Sequence, residues 1–247
     1  MSCISNGVKI IVENTKQEYH SIRDWGLAVG NNNCIGTPVQ ELNYVTVPGA
    51  SRNLDLSEVL TGKPVFKYRP IDIVFGGMRR RTAWDTIISQ FRNCIEGRVV
   101  HIIFDNDPSY YWRGRVEIGD YDRARELGKF TLKIPMADPY KYEVQTSAEP
   151  WKWDPFNFYM GAIRYIGRIT INNSAVLIPR GNMETVPIFE IETITSSALT
   201  VTANGKTYTL NAGKNRFPGL KIAGQEEVLL QFSGEGIGTI EYRGGSL

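Results

Sequence analysis

Two acidic residues separated by a single residue, Asp105 and Asp107 around Asn106, follow an apolar run of strand length from Val99 to Phe104. In that order two carboxylates can present oxygens to a hard divalent cation, and the pattern resembles the metal and sugar-nucleotide motif of many glycosyltransferases. The same residues also read as a turn, because Asn and Asp bond their own backbone, Pro108 presets φ, and a return strand begins at Tyr110. A nucleotide-binding α/β domain needs several helices where this sequence offers one persuasive helix, so the turn is the preferred reading.

Other candidate chemistry is sparse. The two histidines, His20 and His101, stand far apart, and His101 sits inside a strand, which favours a structural, hydrogen-bonded role. No serine lies in a GxSxG elbow. Gly234, Gly236 and Gly238 imitate part of a phosphate loop, but neither a helix nor a Lys-Ser/Thr pair follows, so a turn between two late strands is expected. Trp151, Trp153, Phe156, Phe158 and Tyr159 could stack on the apolar faces of sugar rings; prolines bracket them, and interdomain packing is the favoured alternative. Cys3, Cys34 and Cys94 are odd in number and share no CxxC spacing, which suits reduced thiols in a cytosolic product better than disulfides or a zinc site. The expectation is a protein that is not an enzyme, with no catalytic residue, metal or cofactor.

Charge narrows the partners. Twenty-eight basic against 26 acidic residues leave a net charge of +2, too little to steer the chain toward nucleic acid or an anionic membrane. The basic cluster Met78-Arg79-Arg80-Arg81 reads as a solvated loop entering a helix. The N-terminus has an apolar run without a basic n-region or cleavage site, so a first strand is expected there and not a signal peptide. No run is long and apolar enough to span a membrane as a helix.

The elements follow from periodicity. Thr82 to Glu96 is the expected helix, with Trp84, Ile87, Ile88, Phe91 and Ile95 on one face, Thr82 as N-cap and Gly97 as stop. Val99 to Phe104 and Tyr110 to Ile118 form the expected hairpin, the first arm buried on both sides and the second with one wet face. Upstream strands are expected at Val8 to Val12, Val39 to Val47, from Leu54, at Lys63 to Tyr68 and, after a break at Pro70, at Ile71 to Phe75, with a tight turn at Pro48-Gly49. Lys129 to Met136 follows a charged connector, and Tyr142 to Gln145 leads into the segment rich in proline and aromatic residues. The remainder has no helical period: Arg168 to Asn172, Pro187 to Glu192, Ala198 to Ala203, Lys206 to Leu210, Glu227 to Phe232 and Gly238 to Tyr242 read as strands of a β-sandwich, with Asn204-Gly205 as the clearest hairpin loop.

A helix ending in Gly, a strand, a DND turn, the return strand YYWRGRVEIGDY and the following GKFTLKIPMADPYKY together resemble the N-terminal domain of the distal tail protein (Dit) family of long-tailed, siphovirus-like bacteriophages and prophages. DWGLAV at Asp24 to Val29, VPGASRNLDLSE at Val47 to Glu58 and the closing GIGTIEYRGGSL fit the same family; the match departs from it at Ala50 to Asn53. The resemblance implies a mainly β fold: an N-terminal β-sandwich-like domain with one packed helix, residues 1–145; an interdomain segment, 146–155; and a galectin-like or carbohydrate-binding-like β-sandwich, 156–247. It implies a homo-hexameric ring in the virion tail, assembled in the host cytoplasm, joined to the tail tube protein and to a tail tip or tail-associated protein, with DNA only as cargo through the channel. Host-surface carbohydrate is a further partner it allows. Val47, Pro48, Gly49, Leu54, Asp55 and Leu56 are the candidate ring-interface arm; Trp151, Trp153 and Phe156 are candidate interdomain or sugar-stacking aromatics. The alternative is a carbohydrate-binding β-sandwich module of a particle or secreted protein.

Overall fold

The computed structural model describes residues 6–30, 34–77, 81–122, 128–150 and 165–247, without the side chains of 77, 81–83 and 120–122. Cys3, Asn31 to Asn33, Met78 to Arg80 and the aromatic cluster from Trp151 to Tyr159 therefore lie outside the described residues. The protein is mainly β, its strands grouped into antiparallel sheets. The chain divides into two units, one comprising Met1–Asp107 and Tyr111–Lys141, the other Pro108–Tyr110 and Tyr142–Leu247.

The first unit contains β1 (Val8–Val12), β2 (Glu18–His20), α1 (Ser21–Trp25), β3 (Leu27–Val29), β4 (Cys34–Ile35), β5 (Val39–Gln40), β6 (Tyr44–Val45), β7 (Leu54–Asp55), β8 (Phe66–Gly77), α2 (Arg81–Ile95), β9 (Val99–Phe104), β10 (Tyr110–Arg115), β11 (Glu117–Asp122) and β12 (Gly128–Ala137). One sheet runs β2-β1-β9-β10 and a second runs β11-β12-β8-β3, with β4 and β5 also on β8. Period-two alternation sends Val8, Ile10, Val100 and Ile102 of the first sheet, and Ile71, Ile73, Phe75, Phe130, Leu132 and Ile134 of the second, into one core. The five apolar residues at helical spacing on α2 are all buried in that core. Phe91 sits at its centre, 4.7 Å from the ring of Trp25 and 5.1 Å from that of Phe130. Each such side chain contributes about 1.5–3 kcal/mol by leaving water, so the α2 face is a main source of this unit's stability.

Several expectations are corrected here. The helix starts at Arg81, so Thr82 lies inside it and is not its cap. A second, five-residue helix, α1, is absent from the sequence-based expectation; it is capped by His20, whose Nδ1 accepts from the Arg23 amide at 3.4 Å, and ended by Gly26 at φ 67°. The return arm of the hairpin is not one strand: β10 pairs with β9, the chain turns at buried Val116, and β11 pairs with β12 in the other sheet. Gly114 permits this passage, because a Cβ there would collide with Ile134 and the Ala137 backbone. β9 is buried on one face only, in an alternating pattern. Val39 to Val47 is two short strands with different partners, β8 for the first and β7 for the second. Pro70 does not break β8: the β8–β12 register shifts between Ile134 and Ala137, and both Pro70 and Pro135 fall beside that irregularity, where a ladder donor is not required.

The second unit contains β13 (Lys141–Glu143, which begins at the boundary), β14 (Ile169–Asn172), β15 (Ala175–Ile178), β16 (Ile188–Ile194), β17 (Leu199–Ala203), β18 (Lys206–Leu210), β19 (Gly213–Arg216), β20 (Val228–Ser233), β21 (Glu235–Glu241) and β22 (Gly245–Ser246). Two four-stranded sheets, β14-β21-β16-β19 and β15-β20-β17-β18, enclose a core that includes Ile171, Phe189, Val201, Leu230 and Ile240. The six expected strands are present with small boundary shifts, and β15, β19 and β22 are additional. Asn204 and Gly205 both have positive φ, 51° and 73°, as a two-residue loop between twisted strands requires. Gly234 turns at φ 106° between β20 and β21, and Gly236 and Gly238 are strand residues. Ser147 closes the core edge: its hydroxyl donates to the Ile240 carbonyl at 2.8 Å and accepts from the Tyr242 amide at 2.7 Å.

Candidate functional site

The acidic turn is occupied by structural work. Asp105 Oδ2 accepts from the Gly7 amide at 2.9 Å, and its Oδ1 lies 3.1 Å from His20 Nε2. Asp107 instead pairs with Lys141 Nζ at 2.8 Å. The carboxylates thus serve two different partners, and no group of three or more His, Cys, Asp or Glu suited to a metal occurs among the described residues. The other histidine, His101, stacks on Tyr111 with ring centroids 4.4 Å apart. Ser21, next to His20, is fully buried with its hydroxyl accepting from the Val8 amide, which is a backbone-tying role. Trp151, Trp153 and Phe156, the candidate stacking aromatics, lie outside the described residues.

The most exposed apolar segment among the described residues is an arm in the first unit, the chain between β4 and β8. It is rooted where Val39 pairs with Tyr68 and Gln40 with Phe66. Beyond the root, the Glu41 amide donates to the Val65 carbonyl and the Leu56 amide to the Asn43 carbonyl, both at 2.8 Å. A two-stranded ribbon follows, with Tyr44 opposite Asp55 and Val45 opposite Leu54. Pro48 and Gly49 form its tip, with Gly49 at φ 83° and the Ala50 amide donating to the Val47 carbonyl. Asp55 braces the return limb by accepting from the Ser57 amide at 2.9 Å and hydroxyl at 2.6 Å, and these bonds hold its carboxyl below the usual range. Ser57 in turn accepts from the Asn43 amide at 2.8 Å.

This arm is ordered by hydrogen bonds but not by burial. Leu42, Tyr44, Val45, Val47, Leu54 and Val59 are all exposed, and Leu60 is 96% exposed. Scattered surface apolar residues need no account, whereas a run of them along one segment is a surface of the kind a partner can cover. The structure places Val47, Pro48 and Gly49 at the ribbon tip, Leu54 and Asp55 on its return strand, and Leu56 just after it. Sequence reasoning missed Val59 and Leu60, on the loop between Leu56 and Val65; the available signal was an apolar pair, Val59-Leu60, with no helical or alternating partner positions around it.

No family model matches the chain, and no curated protein matches its sequence. Among solved structures, the chain is similar to the crystal structure of the SPP1 Dit (gp 19.1) protein, described as a paradigm of the hub adsorption apparatus in phages infecting Gram-positive hosts. The TM-score is 0.62 at 12% sequence identity, covering 96% of this chain and 98% of that one. At that identity the likeness is one of fold, over nearly the whole of both chains.

Proposed function

We propose that this chain is a structural subunit of a phage tail tip, a distal hub protein that closes into a ring of six. What supports this reading most is that the likeness to the SPP1 Dit protein runs over both units, covering 96% of this chain. The exposed arm supports it independently: a subunit of a closed ring must carry a surface that fits a different surface on its neighbour, and such permanent interfaces are apolar at their centre. In this reading the tail tube protein and a tail tip protein flank the ring, DNA passes through it as cargo, and the chain carries out no catalysis. The experiment is native mass spectrometry of the purified chain across micromolar concentrations. A species near 167 kDa, six times the 27.8 kDa chain, is the expected result; monomer alone overturns the reading.

A further inference from the structure

Beyond the ribbon and loop of the arm, from Leu42 to Leu60, the large apolar side chains left exposed on the described residues of the first unit are Ile35, Val39 and Met136. All three lie on strands that pair with β8, at the end of the sheet from which the arm departs. The ladder explains why they cluster. Between the pairing of Ile134 with Ile71 and that of Ala137 with Arg69, Pro135 and Met136 stand against the single Pro70, and all three of these residues are exposed. An extra residue of this kind re-aims a side chain, and here it leaves Met136 68% exposed. On the other side of β8, Val39 is opposite Tyr68. Val39, Tyr68, Pro70, Pro135 and Met136 therefore make one apolar patch across three adjacent strands, about 10 Å wide. Charge stays at its margin, where Lys67 is paired with Glu41 and Asp138 with Arg113. An apolar centre with a polar rim is the anatomy of an interface, and an unbranched Met suits a surface that must adapt to what it meets.

The occupant follows from where the arm is attached. β5 and the start of β8 are at once one side of this patch and the root of the arm, and the ribbon that leaves them keeps Tyr44, Val45, Val47 and Leu54 exposed, so a chain does not cover its patch with its own arm. From Glu41 to the tip at Gly49 the ribbon extends about 25 Å at the usual rise per residue, enough to reach an adjacent copy. A two-stranded ribbon alone is marginal in water and gains from a surface to lie on. Arm and patch also match in their lack of charge: the stretch from Leu42 to Leu56 has only Arg52 and Asp55, and Asp55 is turned to Ser57. Because the landing site adjoins the root of the next arm, the same contact repeats from copy to copy, as a closed heterologous ring requires.

We propose that the patch of Val39, Tyr68, Pro70, Pro135 and Met136 receives the arm of a second copy of this chain, with Met136 as its most exposed anchor. This rests on the ring reading above and deepens it by naming the surface on which the arm lies.

The test uses the full chain in two forms beside wild type: Met136→Asp, and a chain with a photo-reactive benzoylphenylalanine placed at position 136. Native mass spectrometry over a concentration series should show that Met136→Asp raises the concentration needed for assembly about 10-fold or more. Thermal unfolding at concentrations where the chain is monomeric should give an unchanged midpoint, because a side chain so exposed has little packing to lose. Irradiation of mixed isotope-labelled and unlabelled copies of the second form should join position 136 to residues 42–60 of a different copy. Assembly of Met136→Asp as in wild type overturns the inference with the ring intact, and so do crosslinks confined to one copy or landing outside residues 42–60. A wild type that never assembles overturns the ring reading itself and this inference with it.

Discussion

Arg113 grips Glu13 through two nitrogens, Nε at 3.1 Å and Nη2 at 3.0 Å from Oε2, and reaches Asp138 with Nη1 at 3.3 Å. One guanidinium therefore ties the turn after β1 to the residue that follows β12, and so an inner strand of one sheet of the first unit to an inner strand of the other. Burial works against the charge, but the Glu13 hydrogen bonds and the two carboxylates outweigh it and raise the Arg113 pKa. Arg113→Lys loses the planar fork and should lower the unfolding midpoint of this unit although the charge is kept. An unchanged midpoint would show that the grip is a surface ion pair of little consequence.

Changing Asp105 and Asp107 together to Asn should leave the fold intact. The side-chain carbonyl that replaces the Asp105 carboxylate can still accept from the Gly7 amide, and the Lys141 pair is half-exposed and contributes about 0.2–1 kcal/mol. Thermal unfolding with and without millimolar Mn²⁺ should show the same small loss in both conditions. A metal-dependent rise in wild type that disappears in the double variant would restore the cation reading of this turn.

Phe91→Ala should cost about 3–5 kcal/mol, the range for emptying a fully buried aromatic site. Because Phe91 touches Trp25, Phe75 and Phe130, the loss should appear in Trp fluorescence of the first unit. A loss under about 1 kcal/mol would mean that the core repacks around the helix.

Leu60→Asp should abolish assembly without changing the midpoint of the monomer, since a side chain that is 96% exposed has no packing to lose. Rings that form as in wild type would remove the side loop of the arm from the interface.

The carboxyl of Asp24 is held below its ordinary range, first by Arg23 and then by the His20 amide, which donates to Oδ2 at 2.7 Å. A depressed pKa in the folded state contributes stability that is present above the unfolded value of about 3.9 and lost as pH falls through the lower folded value. The difference in midpoint between wild type and Asp24→Asn should therefore be full at about pH 6 and shrink below about pH 4. A difference that stays constant into strong acid would show that the carboxylate's charge is not what matters.

The legible parts of this fold are those in which neighbouring positions carry the pattern. Helix α2 is visible because five apolar residues recur along one face, and the Asn204-Gly205 loop because few residues accept two consecutive positive φ values. The passage of the chain between sheets at Val116 is not, since the residues on either side have the same strand character and only the close approach at Gly114 distinguishes them. Helix α1 is shorter than two turns and cannot show a period; the carboxylate of Asp24 and the glycine at position 26 are its only marks. Pro70 misleads because a proline beside a register shift leaves no donor missing. In the arm, sequence shows that Val59 and Leu60 are apolar but not that nothing covers them.

The pairing of β1 with β9 sets a constraint on how the protein is made. Val8 faces Phe104 and Val12 faces Val100, so β1 leaves the ribosome without a partner in the central ladder until the hairpin strand has been synthesised. During that interval Ile10 and Ile11 have only the short β2 to pair with, which leaves an open edge of the kind that recruits other nascent chains. Contacts so distant in sequence also slow closure of the sheet. Soluble yield should accordingly respond to translation speed through the region from β2 to β9 and to chaperone supply more than to the stability of the finished protein.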